Sequence, residues 1–356
     1  MWPTQRIQDL FGIELPIIQA PMAGPVLSDM VIAVAEAGGL GSLPCAMLST
    51  EQTRSELSII RQHTAKPINV NFFCHRPPPL DPAREAAWRQ RLEPYYAELG
   101  IDPKAPVPTS NRTPFDSTLC ALVEEFEPEV VSFHFGLPDH DLLARVRATG
   151  AKIIASATTV DEARWLEDKG CDAIIAQGFE AGGHRGLFLS DDIATQVGTM
   201  ALVPQVVDVV KVPVIAAGGI ADARGIVAAF ALGASAVQIG TAYLFCPEAK
   251  ISPVHLKLLR DAKDNETVLT NVFTGRPARG IVNRAARELG PMSDLAPEFP
   301  LAGGALAPLR GKSAAAGSGD FMALWSGQAA RLAQALPAGE LTRRLAAEAQ
   351  ARFGLR

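Results

Sequence analysis

The chain has 356 residues, of which 48% are hydrophobic and 20% are charged, and its formal net charge is −5. This composition is close to the globular average and excludes disorder over most of the chain. A mildly acidic chain without a dense block of Lys and Arg is also a poor candidate for binding nucleic acid.

Membrane insertion and disulfide bonding are not expected either. The sequence has no uninterrupted apolar run of about 18 residues, and its start does not resemble a signal peptide. The five cysteines are scattered and include no C-x-x-C pair, and the histidines include no H-x-H or H-x-x-x-H pair. We therefore expect a cytoplasmic protein without disulfides and without a metal site.

Eight short apolar runs follow one another along the chain, and each predicts a strand buried on both faces of a parallel sheet. Between several of them lie amphipathic stretches that begin with Ser, Thr or Asp and end in Gly, as helices do. This alternation predicts a (β/α)8 TIM barrel. An open doubly wound sheet is the alternative, weakened because no G-x-G-x-x-G follows the first strand. The runs cover residues 16–22, 39–44, 67–73, 130–136, 152–157, 173–178, 213–219 and 236–241.

Two Pro- and Gly-rich segments interrupt this alternation. Residues 75–118 form a long excursion between the third and fourth runs. The second segment follows the eighth run and predicts a smaller, mainly helical cap over the barrel mouth. The predicted domains are a barrel of residues 1–245 plus 321–356 and a cap or substrate domain of residues 246–320.

Two further helices are predicted near the C-terminus. Residues 320–336 have an amphipathic pattern. Residues 340–353 carry Arg and Glu pairs on a polar face and predict a solvated helix.

Barrel active sites lie at the carboxyl ends of the strands. The seventh and eighth runs end in Gly218-Gly219 and Gly240-Thr241. Glycine lets backbone N–H groups approach an anion, so these ends predict a phosphate site. A pair of tight turns without a ligand is the alternative.

Two histidines are candidates for the chemistry. His184 follows the sixth run and the pair Gly182-Gly183. It would be a base or would polarise an anionic substrate, and a surface or capping histidine is the alternative. His134 alternates with phenylalanines along the fourth run, so it either lines the pocket floor or is a hydrogen-bonded core residue.

The third run, NVNFF, places Asn69 and Asn71 on one face. Their amides would meet the polar edge of a bound ring, or would bond within the barrel. His75 and Arg76 follow at once and are predicted to face solvent.

Six motifs in order resemble the FMN-dependent nitronate monooxygenase family, over nearly the whole length of the chain. They are QAPMAG (19–24), NVNFFCH (69–75), VVSFHFGLP (130–138), QGFEAGGHRG (177–186), the pair AAGGI (216–220) and GASAVQIGT (233–241), and LWSGQAA (324–330). The resemblance implies a TIM barrel with a smaller cap and one non-covalent FMN.

The resemblance also implies roles for individual residues. His184 matches the position assigned as catalytic base or substrate-orienting group, and His134 is the second catalytic candidate. Lys312 and Arg310 of the cap would add positive potential or lie in solvent. Residues implied to contact FMN are Ala20, Pro21, Met22, Asn71, Gln177, Gly182, Gly183, Gly218, Gly219, Gln238, Gly240, Thr241, Trp325, Ser326 and Gln328.

The implied reaction is oxidation of an alkyl nitronate with O2 to a carbonyl compound and nitrite, a detoxification of nitroalkanes, by a monomer or homodimer. The family's pocket is lined by phenolic side chains. Because this chain has three tyrosines and none in PEFPLAGGALAP, we expect a roomier or more apolar pocket.

Three alternative functions are open. A related flavin barrel would reduce quinones or enoyl thioesters with NAD(P)H. A flavin-free barrel acting on a sugar phosphate should present a Lys or Glu at a strand end, and none is evident. A binding protein without catalysis is the third.

Overall fold

Eight parallel strands form a barrel. The computed structural model describes residues 2–104, 106–108 and 112–354. The barrel strands are β1 (Ile17–Gln19), β2 (Gly41–Pro44), β3 (Ile68–Phe73), β4 (Val130–His134), β5 (Lys152–Ala157), β6 (Ala173–Gln177), β8 (Val214–Ala217) and β9 (Ala236–Ile239). Each lies within one of the eight predicted runs. They pair in the order β1-β9-β8-β6-β5-β4-β3-β2, and a parallel bridge between Ile18 and Leu40 closes the ring. The predicted (β/α)8 barrel is confirmed.

Helices pack around the barrel and build the cap. They are α1 (Arg6–Phe11), α2 (Ser28–Glu36), α3 (Thr50–His63), α4 (Pro82–Glu98), α5 (Ser117–Phe126), α6 (His140–Ala148), α7 (Val160–Asp168), α8 (Thr199–Val207), α9 (Ala223–Ala231), α10 (Pro253–Asp261), α11 (Arg284–Leu289), α12 (Ala302–Ala315) and α13 (Ala338–Arg352). Among the described residues no helix has the length and apolarity needed to cross a membrane.

The barrel interior is layered, because alternate residues of a strand point inward. Ile154 and Ile175 belong to an apolar cluster that also contains Ile7 and Phe11 of α1, which pack against this end of the barrel. Two residues further along the same strands, Ser156 and Gln177 replace the apolar side chains. The polar layer therefore lies at the carboxyl ends of the strands.

The segment after the eighth barrel strand forms a second, smaller unit around its own core. A three-stranded antiparallel sheet joins β10 (Thr267–Thr270), β11 (Ala278–Ile281) and the two-residue strand β7 (Gly183–His184). Helices α10, α11 and α12 complete the unit, as the predicted cap requires.

The Pro-rich excursion between β3 and β4 packs with this cap. Trp88 and Tyr96 of α4 share a hydrophobic cluster with residues of 272–321. The indole N–H of Trp88 donates to the carbonyl of Ala302 at 3.1 Å, and the Tyr96 hydroxyl donates to the carbonyl of Ala305. The division into residues 1–245 plus 321–356 and 246–320 stays a prediction, and α4 contributes to the core on the cap side.

The two C-terminal helix predictions need correction. Residues 320–336 are mostly irregular, with a short 3₁₀ turn at Ala330–Leu332, because Trp325 forms an antiparallel bridge with Gly280 instead of continuing a helix. Helix α13 is present but not simply solvated. Its residues Leu341, Leu345 and Ala349 are buried in the main core.

Candidate active site

A cavity of about 550 Å³ lies at the carboxyl ends of the barrel strands and under the cap. Sixteen of the predicted site residues line it. Gln328 does not: it is exposed, and its backbone N–H donates to the carbonyl of Glu180 at 3.1 Å. The sixteen are Ala20, Pro21, Met22, Asn71, His134, Gln177, Gly182, Gly183, His184, Gly218, Gly219, Gln238, Gly240, Thr241, Trp325 and Ser326.

The glycines after β8 leave bare backbone at one end of the cavity. Gly218 has φ 118°, and a Cβ added to it would lie 2.7 Å from Oγ1 of Thr199. Gly219 has φ 68°, a conformation that favours glycine. The next helix, α9, is capped by Asp222, whose carboxylate accepts from the N–H of Arg224 at 2.9 Å. This loop therefore has the shape of an anion site.

The loop after β6 carries His184 and is held by buried side chains. The Gln177 amide donates to the carbonyl of His184 at 3.0 Å and accepts from the N–H of Gly186 at 2.8 Å. The fully buried Arg185 guanidinium donates to the carbonyls of Gln177 and Gly178 at 2.8 and 2.6 Å. Gln177 thus orients the loop as well as lining the cavity.

The C-terminal segment closes against this loop. A Cβ on Gly182 would lie 2.4 Å from the backbone nitrogen of Gly327, so only glycine admits the close approach. The N–H of Gly327 donates to Oγ1 of Thr241 at 2.9 Å. The segment beside Trp325 therefore forms part of the cavity wall.

The His184 imidazole is kept neutral. Burial lowers its pKa well below the ordinary value, and the nearby Arg112, His134, Arg276 and His75 lower it further. Its Nε2 lies 2.9 Å from Oγ1 of Thr274, and its ring packs against those of Phe299 and Trp325, with centroids 5.2 and 5.5 Å away.

His134 also faces the cavity. Its Nδ1 lies 3.0 Å from Oγ of Ser156. Burial lowers the pKa of His134 to about 3, with a further contribution from Arg276, against the opposing effect of the His184 carbonyl. The ring is hydrogen-bonded and also lines the cavity. Of the two roles predicted for His134, pocket lining and a hydrogen-bonded core residue, the structure therefore shows both.

The two asparagines of β3 have different environments. Asn69 is fully buried and donates to the hydroxyls of Ser42 and Ser132 at 3.0 and 2.9 Å. Asn71 donates to the Ser132 hydroxyl at 2.9 Å and also lines the cavity. The prediction that Asn69 and Asn71 point to the same face of β3 is correct. Only Asn71, nearer the end of the strand, lines the cavity.

The cavity wall is cationic. Arg112, Lys250 and Arg310 line it, and among the described lining residues there is no Asp or Glu. Lys312 lies outside the lining and is exposed. Arg276 is close by, with its guanidinium carbon 4.3 Å from the centroid of the Phe135 ring. Such a wall favours an anionic ligand.

Several residues of the site were missed or misplaced by the sequence. His75 was predicted to face solvent, but it is only 6% exposed and its ring lies 4.8 Å from that of Phe299. Arg112 comes from the Pro-rich excursion and Thr274 from the cap. Neither follows a barrel strand, so a search of the strand ends could not find them. Arg76 is exposed, as predicted.

The tyrosine-poor sequence has a clear counterpart in the structure. Tyr95 and Tyr96 lie in the core on the cap side, and Tyr243 is fully buried with its hydroxyl 2.7 Å from Oγ1 of Thr342. No tyrosine lines the cavity in the described parts of the chain. Phe73 and Trp325 supply its aromatic surface instead. The roomier pocket stays a prediction.

A TIM barrel with a cavity of this kind at its strand ends defines a small-molecule enzyme. The family model for nitronate monooxygenase matches residues 4–348. The nitronate monooxygenase of Pseudomonas aeruginosa is 44% identical over 97% of this chain and 99% of its own.

Solved structures with a similar fold cover nearly the whole chain. A nitroalkane oxidase from Streptomyces ansochromogenes is 40% identical, covers 99% of this chain and 100% of its own, and superposes with a TM-score of 0.88. FabK from Thermotoga maritima is 30% identical, with a TM-score of 0.73 over 98% of this chain and 97% of its own. This chain belongs to the nitronate monooxygenase family, a family of flavin-dependent oxidoreductases.

Proposed function

We propose that the protein uses FMN to oxidise alkyl nitronates with O2, giving a carbonyl compound and nitrite. The observation that carries this proposal is one cavity with two ends of different chemistry. Bare glycine backbone follows β8, whereas His184 lies on the opposite side of the strand ring, near Phe73 of β3, and no Asp or Glu is among the described lining residues. A cofactor phosphate suits the first end and an anionic substrate suits the second.

The residues present fit FMN. The volume of about 550 Å³ lies in the range of small-molecule sites. The amide oxygen of Gln238 is buried without a hydrogen-bond partner among the described residues, and it borders the cavity. A heterocyclic N–H would satisfy that acceptor. Gly218, Gly219, Gly240 and Thr241 would hold the phosphate, and Ala20, Pro21 and Met22 would lie behind the ring.

Bound FMN would supply the electron-accepting chemistry that side chains lack. The chain's residues would orient the substrate. Arg112 and Arg310 attract a nitronate, and Arg276 adds to the positive potential near the rings. His184 lies at the same end and would contact the reacting group, with His134 below it. Phe73 and Trp325 exclude water from the nitronate carbon.

A second candidate is an NAD(P)H-dependent reductase of quinones or enoyl thioesters. The observation that favours it is the likeness to FabK, because a 30% identical chain keeps the same barrel over 98% of this one. The glycine loops and the apolar wall suit both the nitronate oxidation and the reductase activity. The two activities differ in the compound that gives electrons to the flavin, a nitronate or NAD(P)H.

The deciding experiment is an absorbance spectrum of the purified protein, followed by separate anaerobic additions of a nitronate and of NADH. We expect a flavin spectrum that bleaches with the nitronate and not with NADH, and extraction that releases FMN. Bleaching by NADH alone would favour the reductase. A colourless protein that cannot be reconstituted with FMN would overturn both.

We further propose a cytoplasmic location and a monomeric or homodimeric state. All five cysteines are free, as a reducing compartment requires. Burial raises the pKa of the Cys45 and Cys171 thiols to about 12, so these two are unreactive core residues.

We also propose that residues 246–320 act as the substrate domain, because Arg310 and His255, which line the cavity, come from it.

A further inference from the structure

The strand pairing of the cap brings Thr274 to His184. Strand β7 pairs with β11 so that His184 lies opposite Ala278. Thr274 lies in the turn that precedes β11, where its N–H donates to the carbonyl of Asn271 at 3.3 Å. Thr274 is only 2% exposed, so its hydroxyl must find its partners inside the protein.

The partners of this hydroxyl indicate the direction of each hydrogen bond. A threonine hydroxyl has one proton to donate. Thr274 donates it to the carbonyl of Arg276 at 3.3 Å. No other donor among the described residues reaches that carbonyl. The contact of 2.9 Å between Oγ1 and Nε2 of His184 is then a bond in which the imidazole donates and the hydroxyl accepts.

We propose that Thr274 is the positioning residue that holds neutral His184 in the tautomer with its proton on Nε2, which leaves Nδ1 as the nitrogen that accepts a proton from a carbon-acid substrate. This inference rests on the proposed function, since the carbon acid is a neutral nitroalkane. The hydrogen bond to Thr274 is made by Nε2, and His184 lines the cavity.

The proton transfer balances without another reactant. The C–H bond next to the nitro group breaks, and its electron pair forms the C=N bond of the nitronate as charge moves to the nitro oxygens. The proton goes to the lone pair on Nδ1. The resulting imidazolium keeps its Nε2 proton on Thr274, and Arg112, which lines the cavity, adds positive potential near the new anion.

The tautomer can be measured without turnover. In protein labelled with ¹⁵N-histidine, a neutral ring distinguishes its protonated nitrogen from its bare nitrogen by chemical shift and by coupling to the ring protons. The variant His184→Asn identifies the resonances. At neutral pH we expect His184 to carry its proton on Nε2 in the wild type and in Thr274→Ser. In Thr274→Val we expect a mixture of tautomers. Thr270→Val, which removes a buried hydroxyl at the end of the neighbouring strand β10, is the matched control.

A proton on Nδ1 in the wild type would overturn the proposal, whether or not Thr274→Val folds. An unchanged tautomer in folded Thr274→Val would remove Thr274 from the positioning role.

Activity provides a separate readout. We expect Thr274→Val to lower kcat/KM for a neutral nitroalkane by at least about tenfold, as for a misoriented base, and to leave kcat/KM for the preformed nitronate within about twofold. Thr274→Ser should restore the nitroalkane rate. A wild type that oxidises the nitronate but not the nitroalkane would overturn the proton-accepting role of Nδ1 and leave the proposed function standing. Failure with both substrates would instead overturn the proposed function.

Discussion

His184 keeps an unprotonated ring because it is buried and surrounded by positive groups. Arg112 and Arg276 act on it through space, and no carboxylate of the described residues lines the cavity to offset them. Binding an anion would reverse this balance, because a negative charge favours the imidazolium. The same residues that lower the pKa of free His184 therefore prepare the site for a negatively charged substrate or intermediate.

The substitution His184→Asn tests the role of this ring. We expect FMN content to be unchanged, because backbone around Gly218 and Gly219 would hold the phosphate. Turnover should fall by about 100-fold or more, as for loss of an acid or base group. Steady-state kinetics with a neutral nitroalkane, with flavin content measured on the same sample, gives both values.

His140→Asn is the matched control for this variant. His140 lies at the protein surface with its side chain 94% exposed, and its turnover should match that of the wild type. Near-normal turnover in His184→Asn would remove His184 from the chemistry.

At the scale of elements, the site depends on loops that are fixed by their neighbours. The loop after β6 is held by Gln177 and Arg185, and the loop after β8 lies against Thr199, whose Oγ1 is 3.0 Å from the carbonyl oxygen of Gly218. These contacts involve backbone carbonyls and buried side chains. These contacts fix the backbone of the glycine loops, and a preformed backbone lowers the entropy cost of binding.

Gly219→Val tests whether the loop after β8 holds the cofactor phosphate. The new side chain would crowd the loop, since its Cβ would lie 3.3 Å from Cβ of Glu180, and valine is strained at φ 68°. We expect the purified variant to contain much less FMN and to require a higher FMN concentration for reconstitution, measured by flavin fluorescence.

Gly150→Val separates strain from crowding. Gly150 has φ 87° and open space around its Cβ position, so it carries a similar conformational cost of about 1–3 kcal/mol away from the cavity. It should keep its FMN. Equal flavin content in the two variants would contradict the phosphate placement.

At the scale of the whole molecule, the buried histidines connect stability to pH. Burial lowers the pKa of His75 to about 4 and that of His134 to about 3. The unfolded chain binds protons at these rings below a pH of about 6.5, and the folded chain does not. Stability contributed by the neutral rings is therefore complete above that pH and is lost as the pH falls toward 4 and 3.

We expect the free energy of unfolding to fall with acidification, most steeply between pH 6 and 5, where the loss approaches about 1.4 kcal/mol per pH unit for each such histidine. Urea unfolding at pH 7, 6 and 5 measures this slope, and His134→Gln should reduce it. A slope that His134→Gln leaves unchanged would mean that the ring is already protonated in the folded protein.

The sequence by itself determined the barrel and most of the strand-end residues. Continuous apolar runs indicate strands buried on both faces, and because the strands are parallel, Asn71, His134 and Gln177 near their carboxyl ends meet at one end of the barrel. The motifs around Gly182 and Gly218 likewise lie where strand ends must lie. These properties are local, so they can be deduced from neighbouring residues.

Only the tertiary structure decided which distant residues complete the site. Arg112, Thr274 and Phe299 come from segments without a regular pattern, and they reach His184 because α4 packs with the cap and β11 pairs with β7. The same pairing explains why residues 320–336 do not form the predicted helix: the bridge between Trp325 and Gly280 outweighs local helical preference. Contacts between residues far apart in the chain are set by packing free energy, which no short stretch of sequence records.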